Sequence, residues 1–302
     1  MNRVPDLNDR SLVIVGVGLI GASLGLALKA AGHRGEIVGT SRSSETLETA
    51  LTLGVVDRVE AELTDAVRDA AMVVLTTPML AMPPLLQALA TAAPADAVIT
   101  DGGSVKSSFV DAARDAFADS LWRVVPGHPI AGREHSGVEA GEADLYAGRR
   151  VILTPLAESD DRAVAAVQRV WQACGAEVVS LPVERHDGLL AATSHLPHYA
   201  AFALVDMLAA RADRDDIFRF AAGGFRDFTR VASSDPTMWR DIALCNRDAI
   251  VGELDAYVDA LSQLRDRVAA GDGDALSGLF TRARDARNAW LNELDDTQEP
   301  SE

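Results

Sequence analysis

Two histidine clusters hold the residue types best suited to chemistry in this chain. Segment 127–137 reads Gly-His-Pro-Ile-Ala-Gly-Arg-Glu-His-Ser-Gly. Segment 194–198 reads Ser-His-Leu-Pro-His, in which His195 and His198 are three residues apart and share a face if the segment is helical. A neutral imidazole is basic enough near pH 7 to take a proton from a reacting group. The clusters therefore predict proton-transfer chemistry, with His128 as the candidate base.

A glycine loop near the N-terminus predicts a site for a dinucleotide. The segment Gly16-Val17-Gly18-Leu19-Ile20-Gly21 fits G-x-G-x-x-G, follows an apolar run and opens a helical pattern. In that context the first glycine permits a tight turn, the second lets the backbone approach a pyrophosphate, and the third lets helix and strand pack closely. The helix N-terminus adds free N–H groups and a positive dipole end. The alternative is a glycine-bearing turn that binds nothing.

The end of the second predicted strand indicates which dinucleotide is bound. An NAD site expects Asp or Glu about 20 residues past the loop, where it bonds the ribose 2′-hydroxyl. This chain has Gly39-Thr40-Ser41-Arg42-Ser43, with no carboxylate. Ser41 and Ser43 can donate to a phosphate and Arg42 can pair with it, which favours NADP over NAD. The alternative is that Arg42 is a solvated turn residue.

Further polar residues stand at the ends of the next predicted strands. Thr77 follows the third strand, and Asp101-Gly-Gly-Ser104-Val-Lys106 begins at the end of the fourth. Ligands of doubly wound sheets bind outside the carboxyl ends of the strands. We therefore add Thr77 and Asp101 to the predicted cofactor site, and we expect Ser104 and His128 to share the same rim.

These residues must be positioned by two kinds of structure. Apolar runs at 12–17, 36–40, 72–76, 97–101, 123–125, 151–153 and 177–181 alternate with helical patterns such as 20–31 and 160–174. That alternation predicts a parallel doubly wound, Rossmann-like sheet. From residue 185 to 294 the patterns are helical, as at 241–268 and 274–294. We therefore predict an α/β dinucleotide-binding domain at 1–182 and an all-α substrate and dimerisation domain at 183–302, which ends in a short acidic tail.

Composition narrows the class of protein. A length of 302 residues suggests two domains. The net charge of −17 argues against a nucleic-acid partner, and it means that an anionic substrate needs a local cationic pocket. The two cysteines, Cys174 and Cys245, show no metal or redox spacing and are predicted to be free thiols of a cytoplasmic protein.

The longest apolar stretch, 188–210, contains His195, Pro197, His198 and Asp206, so we predict a buried helix and no membrane span. The stretch holds more apolar surface than a domain of this size can bury alone. A second copy would cover it, which predicts a homodimer.

Five segments together resemble the prephenate and arogenate dehydrogenases of tyrosine biosynthesis. They are the glycine loop, Asp101-Gly-Gly-Ser-Val-Lys106, Gly127-His-Pro-Ile-Ala-Gly132, Ser194-His-Leu-Pro-His198, and Gly223-Gly-Phe-Arg-Asp-Phe-Thr-Arg230 followed by Asp235-Pro-Thr-Met-Trp239. The resemblance covers nearly the whole chain, in order. It implies oxidative decarboxylation of a cyclohexadienol with hydride transfer to a nicotinamide.

The resemblance also implies individual roles. His128 would accept the proton of the ring 4-hydroxyl as hydride leaves that carbon, and Ser104 would orient His128 and the nicotinamide. Arg230 would hold a substrate carboxylate. The remaining substrate-pocket residues would be His195, His198 and Trp239. Family members often have an acidic residue where Ser41 stands, and the mutase or amino-acid-sensing domains frequent in the family are not expected here.

One loop residue bears on the choice of substrate. Prephenate has a keto group in its side chain where arogenate has an ammonium group. A carboxylate at Glu134, six residues past His128, would attract an ammonium and repel a keto acid, which favours arogenate; an exposed loop glutamate is the alternative.

Alternatives to this function remain open. A metal pair at His195 and His198 would need further ligands; His186 is a conceivable third, but nothing completes the set, so no metal is predicted. Another NADP-linked reductase, acting on imines or β-hydroxyacids, would need a lysine or similar acid in the helical half, and no lysine follows Pro182. A catalytically dead NADP-sensing protein would need neither Ser104 nor His128, and both are present.

Overall fold

The computed structural model describes residues 10–133 and 135–298. The strands within these residues are β1 (Ser11–Val15), β2 (Ile37–Thr40), β3 (Arg58–Glu60), β4 (Ala70–Leu75), β5 (Val98–Asp101), β6 (Val124–Val125), β7 (Gly127–Pro129), β8 (Arg150–Leu153) and β9 (Glu177–Ser180). The α-helices of the first part are α1 (Leu19–Ala30), α2 (Ser44–Thr52), α3 (Leu63–Ala66), α4 (Met82–Ala92), α5 (Ser107–Phe117) and α6 (Asp161–Ala173). Those that follow are α7 (Val183–Leu190), α8 (Leu196–Ala209), α9 (Arg214–Arg219), α10 (Gly223–Thr229), α11 (Pro236–Cys245), α12 (Arg247–Ala270) and α13 (Gly273–Gln298).

Six strands form a parallel sheet in the order β3-β2-β1-β4-β5-β6. The central strands β1 and β4 are apolar and fully buried, as expected for strands covered by helices on both faces. The order reverses between β1 and β4, so the carboxyl ends of these strands flank the crevice where a dinucleotide binds. The predicted doubly wound sheet is confirmed. Strand β3 escaped prediction because two of its three residues are charged.

The remaining three strands form a second sheet in the order β7-β8-β9. Strand β7 is antiparallel to β8, and β8 is parallel to β9. The sequence pattern placed β8 and β9 in the parallel sheet, and this expectation was wrong. The reason lies at Pro126, which has no N–H to continue the ladder with β5. Its carbonyl accepts a hydrogen bond from Thr154 at the end of β8, so the chain turns into a new sheet.

Helices make up the described chain after β9, as predicted. The apolar stretch 188–210 is not one helix: α7 passes into a π-helical turn, Ala191–His195, before α8 begins at Leu196. Pro197, at the start of α8, has no N–H for a regular α-helical bond, and the backbone accommodates it in the wider turn. Within the single chain, only Ala201 of α8 is buried. The prediction of a buried helix was therefore wrong for the single chain.

Tertiary contacts divide the chain into two compact units, of which the first ends at Ile250 and the second begins at Val251. The first unit contains both sheets and the helices up to α11. The second contains most of α12 and all of α13. The domain boundary near residue 183 follows secondary-structure content and stays a prediction. Among residues 10–133 and 135–298, no helix combines the length and apolar character needed to cross a membrane.

Candidate active site

The glycine loop has the geometry of a dinucleotide cradle. Gly16 adopts φ +94°, where side chains are disfavoured, and a Cβ on Gly21 would lie 2.4 Å from the Gly16 carbonyl oxygen. A Cβ on Gly18 would instead meet nothing within 4 Å, so the loop leaves open space at that position. Gly18 caps α1 without any side-chain acceptor, which leaves N–H groups at this helix end available to a phosphate. These features fit the pyrophosphate of NAD(P).

The neighbouring strand ends support the cradle. The Thr76 hydroxyl donates to the Gly16 carbonyl over 2.5 Å and so fixes the turn. The Thr77 hydroxyl oxygen is buried beside the loop and has no hydrogen-bond partner among the described residues. An unsatisfied buried hydroxyl at this place is consistent with the cofactor contact predicted for Thr77.

At the end of β2, the residues predicted to contact the 2′-phosphate of NADP keep hydrogen-bond donors available. Ser43 caps α2, and its oxygen accepts from the Thr46 amide over 3.2 Å; the Ser41 oxygen accepts from the Ser43 amide over 3.4 Å. Since both hydroxyls act here as acceptors, their own O–H groups stay available to donate. Arg42 is exposed.

A buried ion pair fixes the backbone in front of His128. The Lys106 ammonium contacts the Asp101 carboxylate, and both side chains are fully buried. Lys106 also donates to the Gly127 carbonyl over 2.7 Å, while Asp101 accepts from the Gly127 amide over 3.0 Å. Asp101 further accepts from the Gly103 amide over 2.9 Å. The Asp101 carboxylate thus supports the backbone before His128, and its predicted cofactor contact stays a prediction.

His128 lies on β7 at the end of a chain of hydrogen bonds. Its Nδ1 is 2.9 Å from Nε2 of His186, and Nδ1 of His186 is 2.7 Å from Oδ1 of Asp187. The His186 ring is fully buried, and His128 retains only 9% exposure. Burial lowers the pKa of His128 well below its ordinary value, and the nearby His186, Lys106 and His195 reinforce that shift. His128 is therefore neutral at pH 7, the state that a general base requires.

Asp187 ties this chain to two helices. Its carboxylate accepts from the amides of Lys106 and Ser107 over 2.8 Å each, at the N-terminus of α5. Burial by itself raises the pKa of Asp187, but the hydrogen bonds from His186, Ser107 and Lys106 leave the pKa below its ordinary value. Asn246, after α11, donates to the Asp187 carbonyl over 3.0 Å and lies 3.3 Å from Nδ1 of His195. Both histidine clusters thus meet in one network.

The second histidine cluster surrounds Trp239 on α11. The ring of His198 stacks on the indole with their centroids 3.8 Å apart, and the ring of His195 packs on it in a T-shaped arrangement with centroids 6.1 Å apart. The Tyr199 hydroxyl donates to the Trp239 carbonyl over 2.9 Å. The indole N–H is buried and has no hydrogen-bond partner among the described residues. Burial lowers the pKa of His195 to about 4, and burial followed by the charge of Arg230 lowers that of His198. The pocket therefore holds neutral imidazoles with a guanidinium nearby.

The structure brings together His128, His195, His198 and Trp239, and it places Arg230 close enough to His198 to influence its charge. Ser104 is half-buried, and among the described residues His186, and not Ser104, hydrogen-bonds to His128. The role predicted for Ser104 stays a prediction. Glu134 lies outside the described residues. Within those residues, no three His, Cys, Asp or Glu side chains cluster as a metal site would require.

Sequence reasoning missed the residues that support the base: Lys106, His186, Asp187 and Asn246. The adjacent pair His186-Asp187 was visible in the sequence, but His186 was considered only as a metal ligand. A buried His-Asp pair directly after the last strand is the signal that could have identified it. Asn246 gave no signal, because its contacts join segments 59 and 51 residues away.

Fold and site together define a nicotinamide-dependent dehydrogenase. Two family models match the chain: the nucleotide-binding domain of prephenate dehydrogenase over residues 24–180, and its dimerization domain over residues 182–282. The chain belongs to the prephenate dehydrogenase family.

Individual relatives agree. A cyclohexadienyl dehydrogenase of Zymomonas mobilis is 38% identical over 288 residues, which span 95% of this chain and 98% of the relative. The crystal structure of prephenate dehydrogenase from Aquifex aeolicus, in complex with hydroxyphenyl propionate and NAD+, is similar with a TM-score of 0.87 and 34% identity, over 93% of this chain and 98% of that one. Synechocystis arogenate dehydrogenase gives a TM-score of 0.77 and 28% identity, over 93% and 99% of the two chains.

Proposed function

We propose that this chain catalyses the oxidative decarboxylation of prephenate to 4-hydroxyphenylpyruvate, or of arogenate to tyrosine, with hydride transfer to NAD(P). The observation that carries the proposal is the single network joining His128 to the pocket of His195, His198 and Trp239. A base and a substrate pocket are thereby held together, next to a sheet whose glycine loop fits a dinucleotide.

The chain's own groups have separable tasks in this reaction. His128 takes the proton of the ring hydroxyl at its Nε2, because its Nδ1 is occupied by His186. Arg230 provides a cation for a substrate carboxylate on a protein whose net charge is −17. The glycine loop holds the dinucleotide, whose nicotinamide accepts the hydride when bound. Loss of carbon dioxide leaves an aromatic ring, which makes the reaction effectively irreversible.

The test is a spectrophotometric assay of nicotinamide reduction with each substrate and each cofactor. We expect activity in at least one of the four combinations, and a strong loss in His128→Asn. Because general base catalysis contributes about 100-fold to 10,000-fold, the loss in kcat should fall in that range. No reduction in any combination, with protein that is folded by circular dichroism, would refute the proposal.

For the cofactor we propose a preference for NADP. Support comes from Arg42, which is exposed, and from the O–H groups of Ser41 and Ser43, which remain free to donate. One guanidinium–phosphate contact is worth about 1.5–3 kcal/mol, so discrimination of roughly tenfold or more is expected. Arg42→Ala should lower kcat/KM for NADP by about that factor and leave kcat/KM for NAD nearly unchanged. Equal efficiency with both cofactors in the wild type would contradict the preference.

For the substrate we propose a preference for arogenate, set by Glu134. Glu134 lies outside the described residues, and its position six residues past His128 and its negative charge support the preference. Its neighbour Arg133 is ion-paired with Glu142. Glu134→Gln should weaken arogenate turnover while sparing or improving prephenate turnover. If turnover of both substrates falls in parallel, Glu134 does not set specificity.

For the assembly we propose a homodimer built on the helical half. Large apolar side chains are exposed along this half of the first unit: Met207, Phe218, Phe220, Phe228, Met238 and Leu244. A soluble monomer rarely leaves so much apolar surface uncovered. Light scattering across micromolar concentrations should give twice the chain mass of 32.0 kDa, and a monomeric mass throughout would exclude the dimer.

A further inference from the structure

The hydrogen bonds around His128 fix where its ring protons are. A carboxylate only accepts, so Oδ1 of Asp187 must receive a hydrogen from Nδ1 of His186. When the His186 ring carries a single hydrogen, that hydrogen is on Nδ1, so its Nε2 is bare and accepts from Nδ1 of His128. In neutral His128 this leaves Nε2 with a free lone pair. Each assignment follows from the one before it, and all start from the charge on Asp187.

Asp187 is itself held so that it cannot turn away. Its Oδ1 also accepts from the Lys106 amide, and its Oδ2 accepts from the Ser107 amide. The Asn246 amide holds the backbone carbonyl of the same residue. Both carboxylate oxygens are thus fixed by the first turn of α5, and the hydrogen bond to His186 has one direction only.

We propose that Asp187 and His186 are positioning residues that lock His128 in the tautomer with a bare Nε2, ready to accept the substrate's hydroxyl proton. The inference deepens the proposed function and rests on it for the identity of that hydroxyl. His128 is the group that touches substrate, and the other two act through it.

The locked tautomer matches the proton balance of the reaction. The O–H bond of the ring 4-hydroxyl breaks and an Nε2–H bond forms on His128. The hydride leaves the same ring carbon for the oxidised nicotinamide. The bond to the ring carboxylate then breaks, and its electrons complete the aromatic ring as carbon dioxide departs. The ring oxygen is left as a phenolate, and it takes the proton back from Nε2 of His128, which restores the neutral base. A His128 ring with hydrogen on Nε2 would have no lone pair there, so the first of these events could not occur.

The charged and titratable groups facing His128 agree with this arrangement. Lys106 lies at the start of α5, His186 and Asp187 lie on α7, and His195 ends the π-helical turn. The Lys106 ammonium donates to Gly127 and Asp101, and no hydrogen bond joins it to the His128 ring in the part of the chain that the structure describes.

Nuclear magnetic resonance of the full chain labelled with ¹⁵N-histidine tests the tautomers without turnover. The chain has six histidines, so the rings can be assigned by single replacements. We expect neutral His128 and His186 rings protonated at Nδ1 and bare at Nε2. A wild-type His128 protonated at Nε2 would overturn the proposal, whatever the activity. If the expected tautomers are found but no substrate is turned over, the proposed function fails and the locked tautomer stands.

Three variants separate positioning from packing. In Asp187→Asn, the amide oxygen can still accept from α5 while the amide N–H₂ faces His186, so the hydrogens of both imidazole rings move to the opposite nitrogens. We expect kcat to fall at least about 100-fold while KM stays within about threefold of wild type. We also expect the hydrogen of His128 to appear on Nε2. His186→Leu removes the acceptor and should lose kcat to a similar degree. His186→Gln restores an acceptor oxygen and should return kcat to within about tenfold of wild type.

Asp111→Asn is the matched control, because Asp111 is an exposed carboxylate on the same helix α5, and it should keep wild-type kcat. Circular dichroism and thermal unfolding accompany every variant. If Asp187→Asn does not fold, the two His186 variants decide. Equal kcat in His186→Leu and His186→Gln would show that a hydrogen-bond acceptor for Nδ1 of His128 is not needed, and this would overturn the proposal.

Discussion

At the residue scale, the site depends on polar groups that are buried but hydrogen-bonded. Lys106 and Asp101 are fully buried side by side, and between them they bind both backbone polar groups of Gly127. Burial raises the pKa of Asp101 and lowers that of Lys106, while their mutual contact opposes both shifts. Removing one member of such a pair leaves the other charge buried and uncompensated. The loss of stability in each single variant is therefore larger than the contribution of that side chain to the intact pair.

A double-mutant cycle should reveal that dependence. Lys106→Met and Asp101→Asn are each expected to lower the free energy of unfolding by about 3–5 kcal/mol, because each strands a buried partner. The loss of unfolding free energy in the double variant should be smaller than the sum of the two single losses by about 2 kcal/mol or more. Urea denaturation measures all four species.

The exposed pair Arg114–Glu158 offers the control cycle, with nitrogen and oxygen 2.9 Å apart but both side chains largely solvated. Its coupling energy should not exceed about 1 kcal/mol. Equal coupling in the two cycles would show that burial of Lys106 and Asp101 contributes nothing.

The neutral His195 ring predicts a pH dependence of stability. Its pKa is about 4 in the folded chain against 6.5 for a solvated histidine, because burial disfavours the cation. Between these values the unfolded chain binds a proton that the folded chain does not, so the free energy of unfolding falls as pH falls. From pH 7 to pH 5 this group accounts for a loss of about 2 kcal/mol.

His195→Gln should therefore show a smaller decline than wild type over that range, by about this amount, in urea titrations at each pH. His135→Gln, at an exposed position, should decline as the wild type does. A wild-type slope retained in His195→Gln would mean that the imidazole is protonated in the folded chain.

At the scale of elements, helix α1 and its loop separate folding from cofactor binding. A Cβ on Gly21 would lie 2.4 Å from a backbone oxygen, so helix and strand would have to move apart. Gly18 has φ −90° and ψ −163°, which any residue adopts, and its Cβ would point into open space. The two glycines thus serve different purposes, one for packing and the other for the approach of a ligand.

Alanine substitutions should show this difference. Gly18→Ala is expected to keep the free energy of unfolding within about 0.5 kcal/mol of wild type, since it is a substitution without strain. Its Kd for the dinucleotide should rise at least about tenfold, because the methyl group would occupy the path of the pyrophosphate. Gly21→Ala should lose both stability and binding. Fluorescence titration and thermal unfolding give the two quantities, and tight binding in Gly18→Ala would contradict the cradle.

At the scale of the whole molecule, helix α8 has an apolar composition that the single chain leaves half-exposed. Met207 is 57% exposed on this helix. If a second copy covers α8, a charge at this position would have to be buried in the interface at a cost of several kcal/mol. Met207→Glu should therefore shift the proposed dimer to monomer in light scattering while circular dichroism stays unchanged. Asp206→Glu, at the neighbouring exposed position, should keep the wild-type mass.

The sequence by itself determined the features that local pattern encodes. Apolar runs alternating with helical periods are enough to predict a doubly wound sheet, since burial on both faces requires such strands. The glycine loop and the histidine segments could also be predicted from the sequence, because their chemistry depends on residue type and short spacing.

Only the tertiary structure decided what long-range contacts bring together. Pro126 ends one sheet and starts another, which places His128 on a strand. Asp187 reaches the amides of α5 from 80 and 81 residues away, and through His186 it sets the His128 ring. No local pattern specifies these contacts, because each is a hydrogen bond between groups that water would satisfy equally well in the unfolded chain. They form because folding removes that water and leaves each buried polar group to find its partner within the protein.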